Sequence, residues 1–331
     1  MSMWGWYVGL GGCSIEPTQV QEGGFGESSC EMNVVVLYNP IAGAGKAGAA
    51  AQRIGEAVRG VGLQAVLAET RIKAADDWLD AQLAEAGALV VVGGDGAVRL
   101  AAEPAIRTQT PLYHFPSGTE NLFSREFGMD RRVQTLLRAL ERNEPRLVDV
   151  GVVNGRTFLL MVSVGYDAEV VHDLAGRRGS SISHWSYLGP SIRQLRTCRP
   201  SRLAVTVDGE RIDLGRQGAV VVANSRQYAW RLDPAQRAVM SDGLLDVLFF
   251  PIASKAQLVS WVIKCRLRRH LADRRLVYKR GRVIEIGGDR PPRYQLDGDP
   301  PSTADNPSRV EPASNHLQIS VRPGVLPVLA P

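Results

Sequence analysis

Ala88-Leu89-Val90-Val91-Val92-Gly93-Gly94-Asp95-Gly96 runs from a wholly aliphatic strand into a glycine-rich turn that carries one carboxylate. A continuous apolar run suits a strand covered on both faces of a parallel sheet, and glycines let backbone N–H groups approach an anion closely. The turn reads as a phosphate-handling loop whose acid, Asp95, is placed to bind magnesium or accept a proton. An Asp there also suits the cap of the next helix.

Working outward, the spacing predicts strand 34–38, a glycine loop 39–48, helix 49–59, strand 63–68, helix 73–86, strand 88–92, strand 111–115 and a helix ending near Phe127. Strands alternating with helices define a parallel sheet with right-handed crossovers, and ligands of such sheets sit at the carboxyl ends of the strands. Each polar glycine loop falls at such an end. The first, Asn39-Pro40-Ile41-Ala42-Gly43-Ala44-Gly45-Lys46, lacks the G-x-x-x-x-G-K-[ST] spacing of a Walker loop. Lys46 is a candidate phosphate contact. The third, Pro116-Ser117-Gly118-Thr119-Glu120-Asn121, offers hydroxyl and amide groups to phosphate or adenine, or a helix cap from Ser117 or Thr119.

Past Asp149 the period changes. Val148–Val153, the turn Asn154-Gly155 and 156–162 read as a hairpin, as does Leu203–Val207 with Asp208-Gly209. Further strands are expected at 219–223, 245–250, 282–286, 293–296 and 316–321, with helical spacing from Lys255 to about Leu276. The fold class is thus an α/β N-terminal domain with a parallel sheet plus a mostly antiparallel β-sandwich C-terminal domain. The expected organisation is a disordered lead-in at 1–32, a nucleotide-binding domain at 33–145 and a β-rich domain at 146–331, divided near Pro145. Residues 300–312 read as a surface insertion before a final strand pair, and the last residues as packing back on the first domain.

The 331 residues carry a net charge of +5, which favours anionic partners without choosing among nucleotides, phospholipid and nucleic acid. No apolar stretch approaches the length of a membrane span. Cys13, Cys30, Cys198 and Cys265 form no C-x-x-C pair, and a reducing cytoplasm is the expected location. The five histidines lack zinc spacing, and no G-x-S-x-G elbow supports a hydrolase. Lys264 to Arg282 holds nine Lys or Arg against Asp273 alone, interleaved with leucines, so it suits anionic lipid; nucleic acid and a solvated face are the other readings.

The ordered set NP-x-x-G, GGDG, P-x-G-T-x-N, then Asp242-Gly243-Leu244-Leu245-Asp246-Val247 and Leu296-Asp297-Gly298, resembles the diacylglycerol kinase catalytic family, which includes bacterial lipid kinases and sphingosine kinases. The resemblance covers 34–331 and implies transfer of the γ-phosphoryl group of ATP to a lipid hydroxyl, diacylglycerol or a related lipid. It implies that Asn39, Pro40, Gly43, Thr70, Gly93, Gly94, Asp95, Gly96 and Thr119 border ATP, with Asn121 supporting the loop. It implies a structural Mg2+ at the side chain of Asp242 and the backbone oxygens of Val239 and Leu244, although Asp242-Gly243 alone reads as a turn. Catalytic duties fall to Asp95 and to the D-G-x turn of Asp297 and Asp299. Its lipid would be met at a membrane surface, by peripheral contact at the inner face; no nucleic-acid partner is implied.

Departures from the pattern stand at Ala97 for Thr, Leu100 for Glu, Leu122 for Asp and Asp299 for Glu. The glycine-rich stretch expected after Asn224 is replaced by Ser225-Arg226-Gln227-Tyr228-Ala229-Trp230. Two alternatives therefore stay open: an NAD kinase-like small-molecule kinase, and a catalytically weak nucleotide- or lipid-binding regulatory protein.

Overall fold

A computed structural model describes residues 32–40, 46–71, 78–165, 168, 201–213, 215–303, 306–310 and 315–331. The expected lead-in through residue 31, Gly43 and residues 72–77 of the expected second helix lie outside them.

Strand β3 (Ala88–Gly93) is buried along its whole length, as a central parallel strand requires. It is flanked by β1 (Asn33–Tyr38), with Val36 opposite Val90, and by β4 (Leu112–Pro116), with Val91 opposite His114. β2 (Gln64–Glu69) forms the outer edge beyond β1, and all these pairings are parallel. Buried aliphatic side chains here contribute roughly 1.5–3 kcal/mol each. Helix α1 (Lys46–Gly60) turns Ala47, Ala50, Ala51, Ile54 and Val58 inward at helical spacing, and α2 (Leu79–Leu83) comes after β2. Helix α3 (Asp95–Thr108) begins within the GGDG turn, α4 (Leu122–Phe127) comes after β4, and α5 (Val133–Arg142) leads to β5 (Pro145–Val153).

The remaining strands are antiparallel. β6 (Arg156–Phe158) pairs with β5 as a hairpin arm, but the arm does not continue to 162 as expected. It breaks at Leu159-Leu160, and β7 (Met161–Val164) joins β10 (Gln217–Ala223) and β14 (Tyr294–Leu296) instead. The break survives because its polar groups are all used. Asp297 accepts the N–H groups of Leu159 and Leu160, at 2.8 Å each, and the buried Asn224 amide donates to the Leu159 carbonyl at 2.9 Å.

β8 (Ser201–Val207) and β9 (Glu210–Arg211) form the second hairpin, and β11 (Leu245–Pro251) pairs with β10. Helix α6 (Lys255–Arg266) is shorter than its expected span: it stops at Arg266, and β12 (Val277–Gly281) occupies the end of that basic stretch before β13 (Val283–Gly288). Residues 302–303 (β15) and 306–310 (β16) pair with each other. The expected final strand pair is one long strand, β17 (His316–Leu329). β17 runs antiparallel to β13 and β5, and Val328 reaches Leu112 of β4 in parallel, so a single sheet is continuous from β12 to β2. No helix among the described residues is long and apolar enough to cross a membrane.

Candidate active site

The loops after β3 and β4 meet glycine to glycine. A Cβ on Gly118 would fall 2.7 Å from the Gly94 Cα, so the third loop tolerates no side chain at the contact, whereas one on Gly94 would sit 3.4 Å from the Gly118 Cα. Asn121 closes its own loop, accepting from the Gly118 N–H and donating to the Gly118 carbonyl at 2.8 Å each, with a left-handed backbone at φ 50°. The N-cap position of α4 falls on Asn121, not on Ser117 or Thr119 as one sequence reading had it. The orphan amides are served from another element. Asp95 reaches across to accept the N–H groups of Leu122, at 3.0 Å, and Phe123, at 2.9 Å. Its carboxylate therefore caps α4 rather than the helix it begins, and it ties the second glycine loop to the third.

Asp297 is built in the same manner. It adopts φ 50° in the turn after β14, and its carboxylate accepts from Leu159, Leu160 and Met161, the last at 3.0 Å. Burial pushes its carboxyl above the ordinary range, while Arg99 and the three amides pull the other way. Two residues on, Asp299 lies at the α3 N-terminus: a Cβ on Gly96 would come 3.3 Å from the Asp299 Oδ2. That oxygen accepts from Arg99 at 3.0 Å, and the same guanidinium donates to the Leu296 carbonyl at 3.0 Å. Asp299 is thus the acid of this turn that faces the GGDG loop. Asp297, expected as a base, has both oxygens committed to backbone amides.

Sequence reasoning passed over Arg99. Its signal was available: a cation one turn into the helix that GGDG opens, on the face shared with Asp95. Glu103, one turn further, binds Arg322 of β17 at 2.7 Å, so α3 is tied at two successive turns to the β-rich half. Of the departures, Ala97 packs its methyl against Gly93, and Leu100 packs partly buried against the core. Beneath the loop, buried His114 contacts the Gly93 carbonyl through Nε2 at 2.9 Å. Burial lowers its basicity, with Asp95 acting in the opposite sense.

Two other expected nucleotide contacts sit at the carboxyl ends of β1 and β2. Asn39 is the residue after β1, and the Thr70 N–H at the end of β2 donates to the Tyr38 carbonyl at 2.8 Å. The left-handed backbone survives in the segment where glycines were expected: Trp230, Arg231 and Asp233 have φ 57°, 54° and 36°. The segment is clamped to α4, with Gln227 accepting from Arg125 at 2.8 Å, and Arg226 and Ser225 both donating to Glu126.

The expected magnesium position stands apart. Asp242 pairs with the Arg280 guanidinium and accepts the Leu244 N–H at 3.1 Å, and the same guanidinium lies 3.7 Å from Asp246. Among the described residues no three His, Cys, Asp or Glu side chains gather into a metal site. In this structure a protein cation, Arg280, partners both carboxylates. The adjoining turn is organised by Asp149, a buried carboxylate not singled out in the sequence, which accepts from Gly243 and Gly324 at 2.7 Å each.

A parallel sheet continued into antiparallel strands, with glycine loops and an Arg–Asp pair at their meeting point, defines a two-part α/β fold with its candidate ligand site at the carboxyl ends of the parallel strands. Residues 33–153 match the diacylglycerol kinase catalytic domain, and residues 160–330 match the YegS C-terminal NAD kinase beta sandwich-like domain. The chain belongs to this lipid kinase family, and it is an enzyme of that class. It is 22% identical over 230 residues to a diacylglycerol kinase of Bacillus subtilis, covering 66% of this chain and 73% of that one. It is 27% identical over 251 residues to a probable YegS-like lipid kinase of Pseudomonas savastanoi, covering 73% and 75%. An uncharacterised Synechocystis protein is 24% identical, with 69% of this chain matching 53% of that one, so the chain spans about half the length of that relative. A putative diacylglycerol kinase from Bacillus anthracis shares the fold with a TM-score of 0.69 over 95% of this chain and 99% of that one, at 18% identity.

Proposed function

We propose that this enzyme transfers the γ-phosphoryl group of ATP to the hydroxyl of diacylglycerol or a closely related lipid. Residues 33–145 hold the nucleotide, and 146–331 supply the acceptor side. The observation that carries the reading is the convergence of Gly94, Gly118, Arg99 and Asp299 on the N-terminus of α3, where backbone N–H groups and the helix dipole favour phosphate. Asn39, Pro40, Gly43, Thr70, Gly93, Gly96 and Thr119 border the nucleotide. Magnesium accompanies ATP as the phosphate counter-ion.

Phosphoryl transfer needs positioning, charge neutralisation and a base near the nucleophile. The acceptor oxygen forms a bond to the γ-phosphorus, the bond to ADP breaks, and the hydroxyl proton passes to Asp299. Arg99 positions that carboxylate and offsets charge on the phosphates. Asp95 and Asp297 act on the chain, holding α4 and the 159–161 segment where the loops require them. Radiolabelled ATP offered with diacylglycerol, a sphingoid base and NAD tests the acceptor: label should enter diacylglycerol. Label in NAD alone would replace the reading with an NAD kinase-like one, and magnesium-dependent ATP binding without turnover on any acceptor would leave a binding protein. Asp299→Asn should lower kcat at least about a hundredfold while ATP binding persists.

A further inference from the structure

We infer that the solvent face of α6 and the 225–233 segment together form a docking face for an anionic bilayer. The inference rests on the lipid kinase reading, which it deepens by naming where the membrane is met. Helix α6 buries Leu258, Trp261 and Cys265. Its opposite face exposes Val259, Val262, Ile263 and, at the C-cap, Leu267, the last 59% exposed. These positions recur at i, i+3, i+4 and i+8, so they form one stripe along the helix. Trp230 is also exposed, and it stands on a strained left-handed backbone.

Ion pairs join the two apolar elements. Arg268, next to Leu267, lies 3.6 Å from Asp233, three residues after Trp230, and Arg125 of α4 lies 3.9 Å from the same carboxylate. The Trp230 N–H donates to Glu120 at 3.2 Å, in the loop that leads into α4. Since Asp95 holds the first amides of α4, the chain of contacts runs from the apolar face to the GGDG turn.

Charge complementarity selects the occupant. Arg266, Arg268 and Arg269 are exposed around Leu267, and Lys255 is exposed at the other end of the stripe. Basic residues beside exposed aliphatics, with an indole at the margin, match the interface of anionic headgroups and acyl chains. Nucleic acid would engage the arginines and leave the aliphatic stripe in water.

Co-sedimentation of the full chain with phosphatidylcholine vesicles, with and without phosphatidylglycerol, tests this in the absence of ATP. The wild type should bind the anionic vesicles strongly and the neutral ones weakly. Arg266→Ser/Arg269→Ser should weaken anionic binding by about thirtyfold, the worth of two basic residues at a charged surface. Ile263→Ser/Leu267→Ser should weaken it at least about tenfold. Turnover on a short-chain, water-soluble diacylglycerol should be unchanged in both variants. Wild-type binding to vesicles no tighter than that of either variant would overturn the inference, as would tight binding to duplex DNA with none to vesicles. Should the serine pair unfold the protein, the arginine pair carries the same test. Vesicle binding that survives without turnover on any acceptor would remove the kinase reading and leave the docking face standing.

Discussion

The two Asp-Gly turns at the candidate site, Asp95-Gly96 and Asp297-Gly298, look alike in sequence and do similar mechanical work in different halves of the molecule. Each carboxylate grips consecutive backbone amides of a distant segment: two at the start of α4 for Asp95, three at the β6–β7 break for Asp297. They differ in the residues next along the chain. After Asp95 the chain enters α3 and presents Arg99 one turn later; after Asp297 it turns through Gly298 and presents Asp299 to that same arginine. A motif carboxylate can thus be conspicuous because it holds distant backbone in place, while its neighbour faces the opposing loop.

The likeness of the two turns breaks most visibly if Asp297 is removed. Asp297→Ala strands three amides and should cost roughly 3–5 kcal/mol in urea unfolding, whereas Asp299→Asn should leave the midpoint nearly unmoved. Equal losses for both would place Asp299 in the same gripping role. Asp95→Ala should cost about 2 kcal/mol, because it strands two amides at a helix start. A loss as large as that of Asp297→Ala would erase the distinction between the turns.

His114 sharpens the Asp95 side. Its pKa is lowered by burial when folded, so between that value and the ordinary 6.5 the unfolded chain binds the extra proton. Stability from this group is present above pH 6.5 and falls as pH drops below it, by at most about 1.4 kcal/mol per pH unit. The slope should flatten in His114→Gln, and an unchanged slope would assign it elsewhere. The smallest effect is expected at Trp230. Trp230→Gly relieves a left-handed backbone and should stabilise the protein by about 1 kcal/mol in thermal unfolding, while weakening vesicle binding. Stabilisation without loss of vesicle binding would remove the indole from the docking face.

Much of the α/β half was legible because its signals are local. The aliphatic run 88–92 suits a doubly covered strand, and polar glycine loops fall at successive strand ends before any contact is known. The β-rich half was legible as strands but not as pairings. Nothing near Leu159-Leu160 in sequence signals a break, because the break is held by Asp297, far along the chain, and by Asn224. Likewise β12 was hidden inside a basic stretch with leucine spacing, since alternation there is blurred by residues that are only half-buried on both faces.

By itself, then, the sequence determined the parallel sheet, the order of the phosphate-type loops and the family these imply, all of which rest on patterns within a few residues. Tertiary structure alone decided which carboxylate grips the backbone and which faces the helix terminus. It also decided that Arg280 meets Asp242, and that Arg268, just beyond α6, reaches Asp233, three residues after Trp230. These outcomes depend on pairing groups separated by tens to hundreds of residues, and a carboxylate's role is set by the donors that reach it.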